Sequence, residues 1–282
     1  MINMIQKITY LSILIVFIVI GTLSCKKKAS GSAEQVTNGN STVGTNTTPA
    51  YNSVSVNFTN VWGGQILQLS PIGPYSASTP RYVNANNDTC SVSQCRYYIS
   101  NIRFKRSDNT YYTEDNSYHL VEQLDTTNTC KFSLANVPVG NYSQIEFMIG
   151  VDSTRNCSGA KTGALDPVHG MFWSWAQGYI LFQFEGYSNQ AGASSFNNLV
   201  YHLGGFSAPY NNLKTIKIPL IPGLSVVTDH VSKIYLKADI SETFKTPLTL
   251  NFAVDKYAMQ PASSKKYADN YADMFSLAAL IN

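Results

Sequence analysis

The chain has 282 residues, a formal net charge of +3, and charged side chains at 13%, about half the ~25% usual for soluble domains. Lys26, Lys27 and Lys28 account for much of the positive excess, so the rest of the chain is close to neutral. No basic, patterned stripe is left to track a phosphate backbone, which excludes nucleic acid as a partner.

Lys7 precedes an apolar run from Leu11 to Leu23. A positive segment followed by a short apolar one reads as a secretory signal, too short for a membrane span. Leu23-Ser24-Cys25 has the form of a lipobox, although Thr22 stands where Leu or Val is usual. Residues 1–24 are therefore expected to be a lipoprotein signal peptide and Cys25 the acylated residue. That places the protein outside the cytoplasm, held to the cell envelope by lipid, on the periplasmic face or the outer surface of the outer membrane. Residues 25–50 carry almost no large apolar side chain and are expected to form a flexible tether, because they bury too little surface to offset ordering. Residues 51–282 suit one large β domain.

Within that domain Val54, Val56 and Phe58 alternate with Ser55, Asn57 and Thr59, the pattern of a half-buried strand. Arg96 to Phe104 reads as a strand, and Asp108-Asn109 marks a turn into Tyr111 to Val121. Lys131 to Leu134 follows, then a Pro138/Gly140 turn and a strand with Ile145, Phe147, Ile149 and Val151 on one face. Residues Asp152 to Asp166 lack apolar periodicity and are expected to be a long loop whose oxygens, Asp152 and Asp166 among them, are calcium candidates; no spaced EF-hand pattern is present. Leu199, Tyr201 and Leu203 share one face of a later strand, with Val200 and His202 on the other. Leu213 to Leu220, with Pro219 marking an edge or an end, Lys233 to Ile240 and Thr249 to Val254 are the remaining strands. Asn270 to Leu280 is the one expected helix. Roughly nine to eleven strands with turns between them and at most one short C-terminal helix predict an all-β fold, an antiparallel β-sandwich with long loops.

Setting Cys25 aside leaves Cys90, Cys95, Cys130 and Cys157. An even count in an exported chain predicts two disulfides, with the pairing open; Cys90 to Cys95 with Cys130 to Cys157 is one arrangement. No CxxCH occurs, so the chain has no covalent haem of its own. No nucleophile, base and orienting group stand at usable spacing, and no loop cradles phosphate, so the protein is not expected to be an enzyme.

The most informative stretch is LDPVHGMFWSWAQGYILFQFEG, Leu165 to Gly186. Trp173 and Trp175 share a face there, His169 precedes them, and His202 follows in YHLGGF. Together with Ile149-Gly150-Val151-Asp152 and YYISNIRF (Tyr97 to Phe104), these motifs resemble the MbnP-like copper-binding protein family over about Val54 to Leu277. The resemblance implies a β-sandwich that binds copper(I) through histidine and a tryptophan that a partner dihaem cytochrome c peroxidase oxidises to kynurenine. Carried over residue by residue, it makes His202 the first ligand candidate, Trp173 the oxidation target with Trp175 as the alternative, and His169 a further ligand. His119 and His230 are reserves. The chain departs from the family pattern in having Trp175 where relatives place a histidine two residues after the modified tryptophan, so that ligand position has no histidine here. The competing expectations are an adhesion or scaffold lipoprotein that has lost the metal site, and a glycan-binding module stacking sugars on Trp173, Trp175 and Tyr179.

Overall fold

A computed structural model describes residues 49–282 except 125–128, 160 and 175–176. The signal segment, Cys25, nearly all of the tether and Trp175 lie outside the described residues. No helix among the described residues is long and apolar enough to cross a membrane.

Two large sheets form a sandwich. In the first, Phe275–Ile281, Ser232–Asp239, Tyr51–Trp62 and Gln65–Ile66 lie in that order, and Thr129–Pro138 also pairs with Tyr51–Trp62. In the second the order is Lys214–Val226, Gly140–Ile149, Thr89–Arg106, Phe182–Tyr187, Asn198–Leu203, Tyr257–Ala258. The long Thr89–Arg106 strand is the spine of this sheet, and Tyr82–Val83, Tyr111–Thr113 and Tyr118–Glu122 pair with it as well. Most pairings are antiparallel, but Tyr51–Trp62 runs parallel to Ser232–Asp239, so the sheets are mixed. Lys214–Val226 ends its sheet, and Pro219 stands at an irregularity in its register, where a missing N–H is tolerated.

The alternation read from the sequence points the expected side chains inward. Val54, Val56 and Phe58 are fully buried and lie opposite Ser232, Ile234 and Leu236. Phe58 meets Tyr97 and Phe147 of the facing sheet edge-on, at centroid distances of 6.3 and 6.2 Å. Tyr97 in turn stacks on Phe182 at 6.1 Å. Each such ring contributes roughly 1.5–3 kcal/mol by leaving water. The phenols end on acceptors, as buried hydroxyls must: Tyr97 donates to Asn60 Oδ1 (2.8 Å) and Tyr201 to the Asp255 carbonyl (2.7 Å). Trp62 is core as well, stacked on Phe244 with its indole N–H on the Val83 carbonyl.

Three expectations are corrected. The helix is Pro261–Tyr271, nine residues earlier than expected, with Pro261 in its first turn and Gln260 and Ser263 forming a capping box. Phe275–Ile281 is instead a strand, taken up by pairing with Ser232–Asp239. Thr249 to Val254 is not a strand: Leu250 and Phe252 are buried, but Val254 and Asp255 both turn back to the Asn251 carbonyl. Among the described residues Cys90, Cys95 and Cys130 are free thiols, so the two bridges expected within the set Cys90, Cys95, Cys130 and Cys157 do not form. Cys90 and Cys95 belong to one extended strand, which separates them by roughly 16 Å, far beyond the ~7 Å Cα reach of a bridge. Burial raises both thiols above their ordinary pKa and so keeps them protonated.

Candidate functional site

The alternation that turns Tyr97, Phe182 and Leu203 into the sandwich turns Arg96, Gln183 and His202 outward on three neighbouring strands. Register then aligns them. Arg96 lies opposite Glu122 on one side and Gln183 on the other, and Gln183 lies opposite His202. A row of polar side chains results, Glu122, Arg96, Gln183, His202, running across the outer face of the larger sheet, with Glu185 beside it two residues along from Gln183.

The contacts in the row are short and directional. Arg96 Nη1 faces Glu122 Oε1 at 3.4 Å, and Arg96 Nε donates to Gln183 Oε1 at 2.7 Å. Because the guanidinium only donates, the Gln183 carbonyl must face it, and the Gln183 amide N–H groups must face the other way. There Gln183 Nε2 donates to Glu185 Oε1 at 2.9 Å and lies 3.0 Å from His202 Nε2. His202 Nε2 is itself 2.7 Å from Glu185 Oε1. Gln183 is only 3% exposed, so these are not solvent-averaged surface contacts. The hydrogen bond from His202, helped by Gln183 and the Arg96 charge, holds the Glu185 carboxyl below the ordinary glutamate range against the opposing effect of burial.

Beside this row, described residues between Val151 and Ile180 join Tyr98 of the same outer face in a second, small apolar cluster: Tyr98, Val151, Leu165, Met171, Tyr179 and Ile180. Phe172 and Trp173 pack against it. The segment expected to be an irregular loop, Asp152 to Asp166, contains a short helix, Ser153–Asn156, and a single-turn 3-10 helix, Gly163–Leu165, and a second such turn, Pro167–His169, follows it directly. Its anchor is the buried Asn156, which accepts from the Tyr179 amide (2.8 Å) and donates to the Val151 carbonyl (2.5 Å). Asn156 has room because residue 178 is glycine: a β-carbon there would lie 2.1 Å from Asn156 Oδ1. The Tyr98 and Tyr179 hydroxyls close the cluster on the Ala164 and Leu165 carbonyls.

Trp173 lies in a short strand, Phe172–Ser174, and its six-membered ring covers Gly204. A β-carbon at Gly204 would come within 2.3 Å of that ring. The glycine after His202-Leu203 is thus what lets the indole lie across the end of the His202 strand. The structure therefore brings Trp173 to the strand that carries His202, with Gly204 as the point of contact. Trp175, the alternative oxidation target, is outside the described residues.

The other candidates lie apart. His169 Nε2 meets the Gly163 carbonyl at 3.1 Å in the neighbouring turn. Gly170, next to it, is near the row, since a β-carbon on it would be 3.5 Å from Arg96 Nη2. Asp152 caps the Ser153–Asn156 helix and also accepts from Asn101 and Tyr118; Asp166 caps the next turn through the Val168 amide. His119 is stacked on Phe132 at 3.7 Å and tied to Glu114, and His230 pairs with Asp229. Among the described residues no three His, Cys, Asp or Glu side chains converge in a group that could hold a metal ion. Sequence reasoning missed Arg96, Gln183, Glu185 and Asn156. The one available signal was that Gln183 and Glu185 interrupt an otherwise apolar strand on its outward side.

Residues 51–261 match the protein family described as MbnP. Among solved structures the chain is similar to MbnP from Methylosinus trichosporium, at 11% identity over 71% of this chain and 80% of that one, with a TM-score of 0.47. No curated protein matches the sequence.

Proposed function

The chain belongs to the MbnP family, and from that membership and the outward row we propose that it is a copper-binding lipoprotein of the cell envelope, anchored through Cys25, in which His202 is an imidazole ligand and Trp173 a neighbouring ring open to oxidation. The observation that carries the reading is the placement of His202: a half-buried imidazole, its Nε2 beside Glu185 and Gln183, two residues from the glycine on which Trp173 packs. Copper(I) accepts low coordination numbers and imidazole donors, so a single oriented imidazole fits it as one ligand of a small site. Conversion of the indole to kynurenine would supply a ketone and an aniline. That conversion opens the indole C2–C3 bond with C2 leaving as formate and takes its oxidising equivalents from peroxide; we assign it to a separate haem peroxidase of the dihaem cytochrome c type docking on the Trp173 side.

Titration of the purified protein with Cu(I) tests the proposal. His202→Ala is expected to weaken binding by more than the ~10–100-fold typical of losing an outer-shell partner. Equal affinity in the variant removes His202 from the site. A second reading, a sandwich that keeps the fold and binds no metal, is favoured by the lack of a three-residue donor cluster among the described residues. It predicts no Cu(I) binding by the unsubstituted protein. Intact mass before and after exposure to a haem peroxidase reports whether a tryptophan has been converted.

A further inference from the structure

We infer that Glu185 is a positioning residue which, held in place by Gln183, Arg96 and Glu122, keeps His202 as the Nε2–H tautomer and so leaves Nδ1 as the metal-donor atom. This rests on the reading of His202 as a ligand and adds which nitrogen binds and what holds the ring.

The argument is a count of hydrogens. His202 Nε2 has two polar neighbours, Glu185 Oε1 at 2.7 Å and Gln183 Nε2 at 3.0 Å. If Nε2 carried no hydrogen, it could accept from the Gln183 amide, but its lone pair would then face a carboxylate oxygen at 2.7 Å with nothing between them. If Nε2 carries the hydrogen, it donates to Glu185 in a charge-assisted bond, and the Gln183 amide spends its own hydrogen on the same oxygen at 2.9 Å. Gln183 cannot turn over to relieve this arrangement, because its carbonyl is taken by Arg96 Nε at 2.7 Å. Arg96 in turn is placed by Glu122 and lies beneath the Gly170 turn. Four side chains on three strands thus agree on a hydrogen at Nε2, and in the neutral ring that leaves Nδ1 as the nitrogen with the free lone pair. Nδ1 makes no hydrogen bond among the described residues. A carboxylate on one imidazole nitrogen, with the other nitrogen on the metal, is the arrangement that raises ligand basicity and fixes ring orientation in metal sites generally.

The test uses the full chain, metal-free, with its histidine rings labelled in 15N. The unsubstituted protein should show His202 with Nε2 protonated, that hydrogen exchanging slowly with water, and Nδ1 bare. Glu185→Ala should speed exchange of the Nε2 hydrogen and give a mixture of tautomers, and should weaken Cu(I) binding by about 10–100-fold. Glu185→Gln, whose side-chain carbonyl can still accept, should retain most of both properties. That variant also keeps the inference testable if the alanine protein does not fold. An Nδ1–H tautomer in the unsubstituted protein overturns the inference, as does a Glu185→Ala protein whose exchange and tautomer are unchanged. Should the unsubstituted protein bind no copper, the functional reading fails, while the ring spectra still decide the role of Glu185.

Discussion

Along the Phe182–Tyr187 strand, alternate residues enter two different environments. Phe182 and Phe184 point into the sandwich, among Tyr97, Trp62, Tyr201, Phe244 and Tyr271. Gln183 and Glu185 point out, into a chain of polar contacts bordered by the small cluster under residues 151–181. The interior is many-fold redundant, each ring touching several others, so its stability is a sum over area. The outer face is serial: Glu122 places Arg96, Arg96 places Gln183, Gln183 places Glu185, and Glu185 places His202. Damage inside should therefore be felt as stability, and damage outside as loss of geometry with the fold intact.

The largest expected effect tests the first half of that contrast. Phe182→Ala removes a fully buried ring stacked on Tyr97 and tilted against Tyr271 and should cost about 3–5 kcal/mol in urea denaturation. A cost under ~1 kcal/mol would mean that the interior is not where stability resides. A smaller effect is expected from Gly204→Ala, which pushes a methyl group into the Trp173 ring and should cost about 1–3 kcal/mol. Its signature is local: a shift in tryptophan fluorescence and faster hydrogen exchange between residues 151 and 181, with the Thr89–Arg106 strand still protected. Global loss of protection would break the distinction between the two regions.

The smallest effect is in acid. Glu185 outside and Glu146 elsewhere on the same sheet both sit below the ordinary glutamate value of 4.5. For Glu146, burial pushes the carboxyl up, and the Arg103 hydrogen bond and charge more than offset it. A lowered folded-state pKa means that the unfolded chain binds the proton first. Stability from both groups is then complete above 4.5 and declines as pH falls through the folded values. Glu185→Gln should flatten that decline in part, measured as thermal midpoint against pH. An unchanged profile would show that the Glu185 contacts add nothing to folding.

Much of the interior was legible in the sequence because one rule, alternation, decides which side chains of a strand enter a core. Val54, Phe58, Phe147 and Leu203 followed it. The helix was misplaced because Asn270 to Leu280 looked helical by composition, whereas Pro261 with its capping box carried the actual start signal and Phe275–Ile281 answered to a partner strand far away in sequence. The disulfide expectation rested on the parity of the cysteine count, which carries no information about register; one extended strand holds Cys90 and Cys95 apart. At the candidate site His202 and Trp173 were readable as residue types in motifs. The row was not, because nothing in the local sequence says that Arg96 will stand opposite Gln183, and Gln183 opposite His202. That is a property of strand pairing between segments 87 residues apart in the first case and 19 in the second.

The parallel pairing of Tyr51–Trp62 with Ser232–Asp239 carries a consequence for how the molecule assembles. Asn57 reaches the Ile234 carbonyl, 177 positions along the chain, and the strand it belongs to is the centre of its sheet. Until the last fifth of the polypeptide is available, that central strand has an open flank of unsatisfied amides and carbonyls. Closure of so long a loop makes completion of the smaller sheet a late and slow event. The newly made chain is thus most vulnerable to joining a neighbour along the Tyr51–Trp62 strand, just before Ser232–Asp239 arrives to seal it.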